Sequence, residues 1–372
     1  MAVNYPSLNW NVFNMNQHQD ISTELQERVT EAANKQLPLQ LRAGGSKDFY
    51  GREPSGDLLD ISAHRGIIRY EPSELVLTAR AGTSLTDIEQ ILAENNQILP
   101  FEPPHFGVQA TIGGTIACNL SGPRRPYAGA ARDMVLGTKL LNGKSEILNF
   151  GGEVMKNVAG YDVSRLMAGA MGTLGILLEV SLKVLPRPEQ ELTLVHEDIS
   201  PEGAIRRLHE WSGLPLPVSA SCYFEGQLMI RLSGTPKAVR AARSKIGGDE
   251  QDAQHALEYW YKLNNHQHGF FNHKGPLWRL SIASDTPPVA LEGEWLYEWG
   301  GAQRWLISNE SPEKIRRLAA EAGGHATLYR HGEDRDNPFQ PLSPGLLQVH
   351  RQLKKAFDPQ GILNPGRMYK EF

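Results

Sequence analysis

The sequence predicts a mixed α+β chain of two domains, the first rich in glycine loops and the second a smaller α/β unit with antiparallel pairing. Three observations predict it. A length of 372 residues exceeds one ordinary core, so a ligand cleft between two domains is expected. Strand and helix patterns alternate along the whole chain. Composition shifts midway: the four glycine-bearing loops singled out below end by Gly175, while six of the seven Trp residues follow position 200. The expected boundaries are 1–188, 189–335 and a tail over 336–372.

Thr23-Glu24-Leu25-Gln26 has the spacing of a capping box, and Leu25, Val29, Ala32 and Ala33 recur at helical intervals, predicting a helix over 23–36. Leu37 to Arg42 reads as a strand running into the first glycine loop. Strands follow at Ile67 to Tyr70 and Leu75 to Ala81. Ser84-Leu85-Thr86-Asp87 then caps a helix whose Leu85, Ile88, Ile91 and Leu92 share a face. Two apolar runs between Val135 and Phe150 flank Asn142-Gly143, the dipeptide that favours a tight primed turn. Ile176 to Val184 alternates as a half-buried strand and stops at Pro186-Arg187-Pro188. In the second domain, Ser200-Pro201-Glu202 and Ser311-Pro312-Glu313 each start a helix, and each follows a strand candidate, Leu192 to His196 and Arg304 to Ile307. Strands at Val218 to Phe224, Leu228 to Ser233 and Leu277 to Ala283, with a basic helix over Pro236 to Ile246, complete it. The repeated strand–helix starts hint at an internal repeat. In the tail, His350 to Phe357 reads as helix and Asp358-Pro359-Gln360-Gly361 as a turn.

The glycine loops carry the chemistry. They are Arg42-Ala43-Gly44-Gly45-Ser46, Ile112 to Ala117 with Gly113 and Gly114, Asn119 to Pro123 with Gly122, and Met167 to Gly175 with Gly169, Gly172 and Gly175. None is a Rossmann fingerprint. Glycine lets the main chain turn and bring its N–H groups against phosphate oxygens, and loops this widely spread suit a large dinucleotide. A net charge of −4 gives no reason to expect nucleic acid. No stretch approaches the ~18 apolar residues of a membrane span, and Met1 to Pro6 has neither the basic start nor the apolar run of a signal peptide, so a cytoplasmic protein is expected. The 2 Cys, Cys118 and Cys222, cannot ligate a metal or an iron–sulfur cluster alone, so redox chemistry requires an organic cofactor.

These loops, together with Lys156-Asn157-Val158-Ala159-Gly160-Tyr161-Asp162 and Phe357 to Gly366, resemble the vanillyl-alcohol-oxidase (PCMH) type of FAD-binding fold. Phe101-Glu102-Pro103-Pro104-His105, Gly122-Pro123-Arg124-Arg125-Pro126 and Phe150 to Asn157 are similar to the smaller FAD-binding subunits of bacterial three-subunit glycolate oxidases. The resemblance implies a two-subdomain FAD-binding domain, a cap over the flavin ring, and a tail returning to the FAD domain. It puts Arg42, Ala43, Gly44, Gly45 and Ser46 at the pyrophosphate, and Gly113, Gly114, Asn119 and Gly122 along pyrophosphate and flavin. Gly160, Tyr161, Asp162 and the Gly172, Gly175, Ile176 turn fall near the adenosine half or the ring edge, and Asn364 in the tail completes the set. Four or five charge-assisted hydrogen bonds would supply about 6–15 kcal/mol, enough for nanomolar binding at about 12, so the FAD is expected to be non-covalent. No His or Cys in the first loop offers a covalent link.

The family arrangement implies oxidation of glycolate or a related short 2-hydroxy acid, with electrons passed to an iron–sulfur subunit beside a larger FAD-binding subunit. Peripheral association with the inner membrane would come through that complex. Candidate bases for the hydroxyl proton are His105 and His325, Tyr329 is a further catalytic candidate on the strand of His325, and Lys156 is a candidate for neutralising reduced flavin or a carboxylate. Arg124 and Arg125, held between prolines, suit phosphate, a carboxylate or an acidic partner. His255, His266, His268 and His273 lack carboxylates at a ligand spacing, so no metal is expected and they read as solvent-exposed. Two rival readings stand beside catalysis: an FAD-binding assembly or electron-relay subunit whose larger paralogue transfers the hydride, and a sugar-nucleotide reductase.

Overall fold

The computed structural model describes residues 18–152, 162–330 and 337–372. The first helix spans Ser22–Lys35 and turns Leu25, Val29 and Ala32 inward. Its capping box does not form: Ile21 is the N-cap without a side-chain bond, and Asp20 Oδ1 accepts the Ser22 N–H at 2.9 Å instead. This acceptor lies outside the four-residue pattern that marks a capping box, so the pattern misplaced the cap by two residues. Beneath the helix, Leu39–Arg42 and Asp57–Asp60 pair in parallel.

A five-stranded antiparallel sheet adjoins this pair, in the order Ile67–Glu71, Val76–Arg80, Ile176–Lys183, Val135–Leu141, Ile147–Gly151. The alternating run from Ile176 is thus the central strand. Helices Leu85–Glu94 and Ile112–Cys118 cover one face through Leu85, Ile88, Leu92, Ile112 and Ile116. The first helix packs with Leu141, Ile176 and Leu178 in a separate cluster. Each large side chain fully removed from water there contributes about 1.5–3 kcal/mol.

The hairpin of this sheet closes at the Leu141–Ile147 pair, so residues 142–146 form the loop and the two-residue primed turn is corrected. Positive φ falls on Ser145, at 63°, and Asn142 Oδ1 accepts the N–H groups of Lys144 and Glu146. Gly143 serves another purpose: a Cβ there would stand 2.3 Å from Asp358 Oδ1, so its bareness lets the tail approach.

The second sheet has eight strands in two similar halves, but the hinted match is corrected: Gln190–His196 is the first strand of its half and Gln303–Ile307 the third of the other. The first half reads Asp249–Glu250, Gln190–His196, Gln227–Gly234, Val218–Phe224; the second reads Glu294–Glu298, Gln303–Ile307, Leu277–Ser281, His325–Arg330. Numbered within each half these orders are 4-1-3-2 and 2-3-1-4, the same split βαβ arrangement in mirror reading, joined at Cys222–Glu298 and Tyr223–Tyr297. In the second half no helix occupies residues 282–293, so only its second helix, Pro312–Glu321, remains.

Finally, helix Pro344–Phe357 begins six residues before the expected His350, because Ser343 caps it and accepts the Leu346 N–H. The chain then returns: Leu39 donates to Ile362 O at 2.7 Å, and Asn364 donates to Leu39 O at 2.9 Å.

Candidate functional site

The glycine loops converge on one cleft between the small parallel sheet and the five-stranded sheet. It holds about 880 Å³ of atom-free space, counting the solvent at its mouth. Arg42, Ala43, Gly44, Gly45, Ser46, Gly113, Gly114, Gly172, Gly175, Ile176 and Asn364 all line it.

Their roles there differ. The N–H groups of Gly44, Gly45, Ser46 and Lys47 make no hydrogen bond to another described residue. Gly45 has φ of 69°, so the loop presents successive amides in a concave array, an anion-binding nest. Gly44 and Gly113 are small for packing reasons: a Cβ at Gly44 would lie 1.5 Å from Gln109 O, and one at Gly113 2.7 Å from Ala81 O. Gly114 differs, since a Cβ there would meet only Thr111 Oγ1, at 3.3 Å. Its free side faces open space. Asn364 spends its amide on the chain, as Oδ1 accepts the Leu41 N–H and Nδ2 donates to Met171 O, each at 2.7 Å.

Lys47 is the residue that motif reading missed. Its side chain is buried in the cleft wall, its Nζ lies 3.3 Å from Ser46 Oγ and 6.0 Å from the Phe106 ring centroid, and no described carboxylate pairs with it. Burial lowers its pKa from 10.5 to about 8. An ammonium held at that cost beside unpartnered amides fits a ligand that brings its own negative charge, and the diphosphate of FAD is such a ligand. A lysine directly after a Gly-Gly-Ser loop was the available signal.

The remaining expected cofactor residues lie elsewhere. Asn119 caps helix Ile112–Cys118 at φ 51° and its Oδ1 accepts the Arg132 N–H at 3.1 Å. Asp162 caps helix Val163–Met167 by accepting the Arg165 N–H. Gly160, Tyr161 and Lys156 lie outside the described residues.

Gly122 lines a second, smaller chamber beneath the eight-stranded sheet, with about 310 Å³ of atom-free space counting the solvent at its mouth. One segment serves both spaces: Gly113, Gly114, Ala117 and Cys118 face the first cleft, and Leu120, Ser121, Gly122 and Pro123 the second. Across the chamber stand Asn264, His266, Arg279, Glu298, Trp305 and Tyr329. His266, expected in solvent, is instead stacked on Phe271 at 3.9 Å and 2°, and its Nδ1 is buried without a partner. Burial, then the Arg330 and Arg279 charges, hold it well below the usual histidine range. The reason is aromatic packing that composition does not reveal.

Of the expected catalytic residues, only Tyr329 is found lining this chamber. It is buried, 4.9 Å from the Trp305 ring and 5.4 Å from that of His266, and burial raises its phenol. His105 lines neither space; its Nε2 lies 3.0 Å from Glu89 Oε2. His325 is exposed at the opposite end of its strand, paired with Ser281. Arg124 is absorbed by structure: Nε donates to Glu102 at 3.1 Å and a terminal nitrogen to Glu191 at 2.5 Å, while Arg231 from the second sheet also pairs with Glu102. Arg125 lies 4.5 Å over the Trp299 ring.

Sequence and structure comparisons agree with this geometry. A family model described as an FAD binding domain matches residues 21–151, and one described as the C-terminal domain of FAD linked oxidases matches 313–368. Glycolate oxidase subunit GlcE of Escherichia coli K12 is 50% identical over 352 residues, covering 95% of this chain and 98% of the relative. Glycolate oxidase subunit GlcD of Bacillus subtilis 168 is 31% identical, covering 93% and 87%. The D-lactate dehydrogenase of Archaeoglobus fulgidus is 27% identical, covering 94% and 90%. In fold, the chain is similar to p-cresol methylhydroxylase, with a TM-score of 0.70 at 16% identity over 94% of this chain and 88% of that one. Identity that extends over nearly the full length of both chains means that this protein belongs to the FAD-linked oxidase family of glycolate oxidase subunits and is a flavin-dependent oxidoreductase using FAD.

Proposed function

We propose that the chain is the FAD-binding subunit of an assembly that oxidises glycolate, or a related short 2-hydroxy acid, to the 2-oxo acid and passes the electrons to an iron–sulfur subunit. The observation that carries this reading is the cleft itself: four consecutive unpartnered amides and a buried lysine, in a chain half identical to a glycolate oxidase subunit. Arg42 to Lys47 would hold the diphosphate, and Gly114 would leave room beside it. FAD supplies the hydride acceptor when bound. The chain's own work is to neutralise the diphosphate through Lys47, to keep water from the cleft wall, and to hold the substrate in the chamber reached by residues 120–123. Cys118 and Cys222 stand on separate elements, so a partner must carry any cluster, and a larger subunit resembling GlcD is the expected companion.

A second reading is favoured by the histidines. With His105 paired to Glu89 and His325 exposed, the flavin here could serve assembly or electron relay while the larger subunit transfers the hydride. The FAD-loaded chain mixed with glycolate without oxygen separates the two. Bleaching of the flavin absorbance supports catalysis here. Bound flavin that stays oxidised supports the relay.

A further inference from the structure

The second chamber contains a buried carboxylate that the reading above does not use. Glu298 is 4% exposed, and its Oε2 accepts Trp305 Nε1 at 2.6 Å and Gln303 Nε2 at 3.0 Å. It lines the same space as Arg279, whose one hydrogen bond among the described residues goes to the Tyr50 hydroxyl at 2.9 Å and which no described carboxylate neutralises. Two buried atoms of the lining, Asn264 Oδ1 and His266 Nδ1, also lack a partner. A guanidinium that no described carboxylate neutralises, a carboxylate and two polar atoms without a described partner line one space and form an incomplete polar set. A small anion that also carries a hydroxyl would complete it.

We propose that Glu298 is a catalytic residue of this chamber, accepting the hydroxyl proton of a short 2-hydroxy acid whose carboxylate Arg279 holds. The O–H bond breaks toward the Glu298 carboxylate, the carbon-bound hydrogen leaves with its electron pair to bound FAD, and the C=O bond forms. The inference rests on the 2-hydroxy-acid reading. Burial, against the Trp305 and Gln303 hydrogen bonds, raises Glu298 to about 7, a value at which a carboxyl both takes and releases protons near neutrality. The titratable and charged groups around it are Glu102 in the loop before His105, Cys222 on the neighbouring strand, Tyr259 on helix Ala253–Asn264, and His266, Arg279 and Tyr329 across the chamber.

The test is calorimetry of the FAD-loaded chain with oxalate, an anion that cannot be oxidised by hydride loss, in buffers of different ionisation heat. Above the Glu298 pKa, an anion beside the carboxylate raises that pKa, so wild type takes up a proton on binding. E298Q should bind oxalate and take up none, E298D should restore the uptake, and R279M should bind roughly 100-fold more weakly. Reduction of the flavin by glycolate should slow by about 10²–10⁴ in E298Q. Unchanged proton uptake or an unchanged reduction rate in E298Q, while wild type is bleached, overturns the role of Glu298 alone. If wild type binds oxalate but glycolate and other short 2-hydroxy acids leave its flavin oxidised, the catalytic reading falls and this inference with it.

Discussion

Asn364 Oδ1 accepts the main-chain N–H of Leu41 at 2.7 Å, so the returning tail holds the strand that leads into the glycine loop at 42–47. Nearby, Lys354 Nζ donates to Thr173 O at 2.8 Å and Leu363 O at 2.7 Å, and lies 2.8 Å from Asp358 Oδ2. The tail therefore fastens two cleft walls at once: the first loop through Leu41, and the Met171–Thr173 turn through both side chains.

Asn364→Ala should loosen both walls. It leaves the Leu41 N–H and Met171 O without partners, at about 1–3 kcal/mol for each buried group. Thermal unfolding should show the loss, and FAD titration should show weaker binding even where the protein remains folded. A variant with wild-type melting and wild-type FAD affinity would mean that the tail is not a structural part of the cleft.

Two adjacent glycines should respond oppositely. Gly114→Val places its side chain in open space beyond Thr111, so the protein should fold and come out colourless. Gly113→Ala drives a Cβ against the main chain of Ala81, so it should lower stability by about 1–3 kcal/mol before any effect on FAD. Circular dichroism and flavin absorbance of the two purified variants separate the cases. A yellow Gly114→Val protein would remove the diphosphate from this part of the cleft.

Much of this was legible in the sequence, and the failures have physical causes. The first loop, Gly113, Gly114 and the Gly172 turn could be read because a missing Cβ leaves a residue-type mark, whether for positive φ at Gly45 and Gly172, close packing at Gly44 and Gly113, or open space at Gly114. Ser84, Ser200 and Ser311 were readable as caps because one side chain bonds one N–H three residues on. Lys47 left only its place after the Gly-Gly-Ser loop, and Glu298 no mark at all: both are buried with no described neutralising partner, which depends on segments distant in sequence. Asn142-Gly143 misled because its glycine answers to Asp358, more than 200 residues away. His266 misled in the same manner, since only the folded chain brings Phe271 and Trp305 against it.

Lys47→Met should have opposite effects on the apoprotein and on FAD binding. With a folded pKa of about 8 against 10.5 unfolded, the native state binds fewer protons than the unfolded state between these values, so stability rises with pH across that window. Below about pH 8 the burial cost is present in full, roughly 3 kcal/mol at 1.36 kcal/mol per unit. Removing the charge should therefore stabilise the apoprotein at pH 7 while weakening FAD. Melting curves of the apoprotein from pH 7 to 10, with FAD dissociation constants for both proteins, give the comparison. Tighter FAD binding in Lys47→Met would contradict the assignment.

The Glu102 cluster should fix how the two sheets meet. Glu102 accepts Arg124 Nε at 3.1 Å within the first domain and Arg231 from the second at 2.8 Å, and Glu191 takes the other end of Arg124. Burial pushes the Glu102 carboxyl up, but the Arg231 and Arg124 charges outweigh burial and hold it below its ordinary value. A depressed carboxyl contributes its stability above the unfolded pKa near 4.5 and loses it as pH falls through the lower folded value. Glu102→Gln leaves two buried guanidinium groups short of charge, so it should cost about 3–5 kcal/mol at pH 7. Its acid sensitivity below pH 4.5, about the unfolded carboxyl value, should diminish relative to wild type. Because the segment after Glu102 runs into Pro104 and Phe106 of the second chamber, the variant should also bind oxalate more weakly while keeping FAD in the first cleft. Urea unfolding at pH 7 and pH 4, with oxalate and FAD titrations, tests both parts. Full stability together with full oxalate affinity would show that the chamber is held by its aromatic walls and not by this ionic cluster.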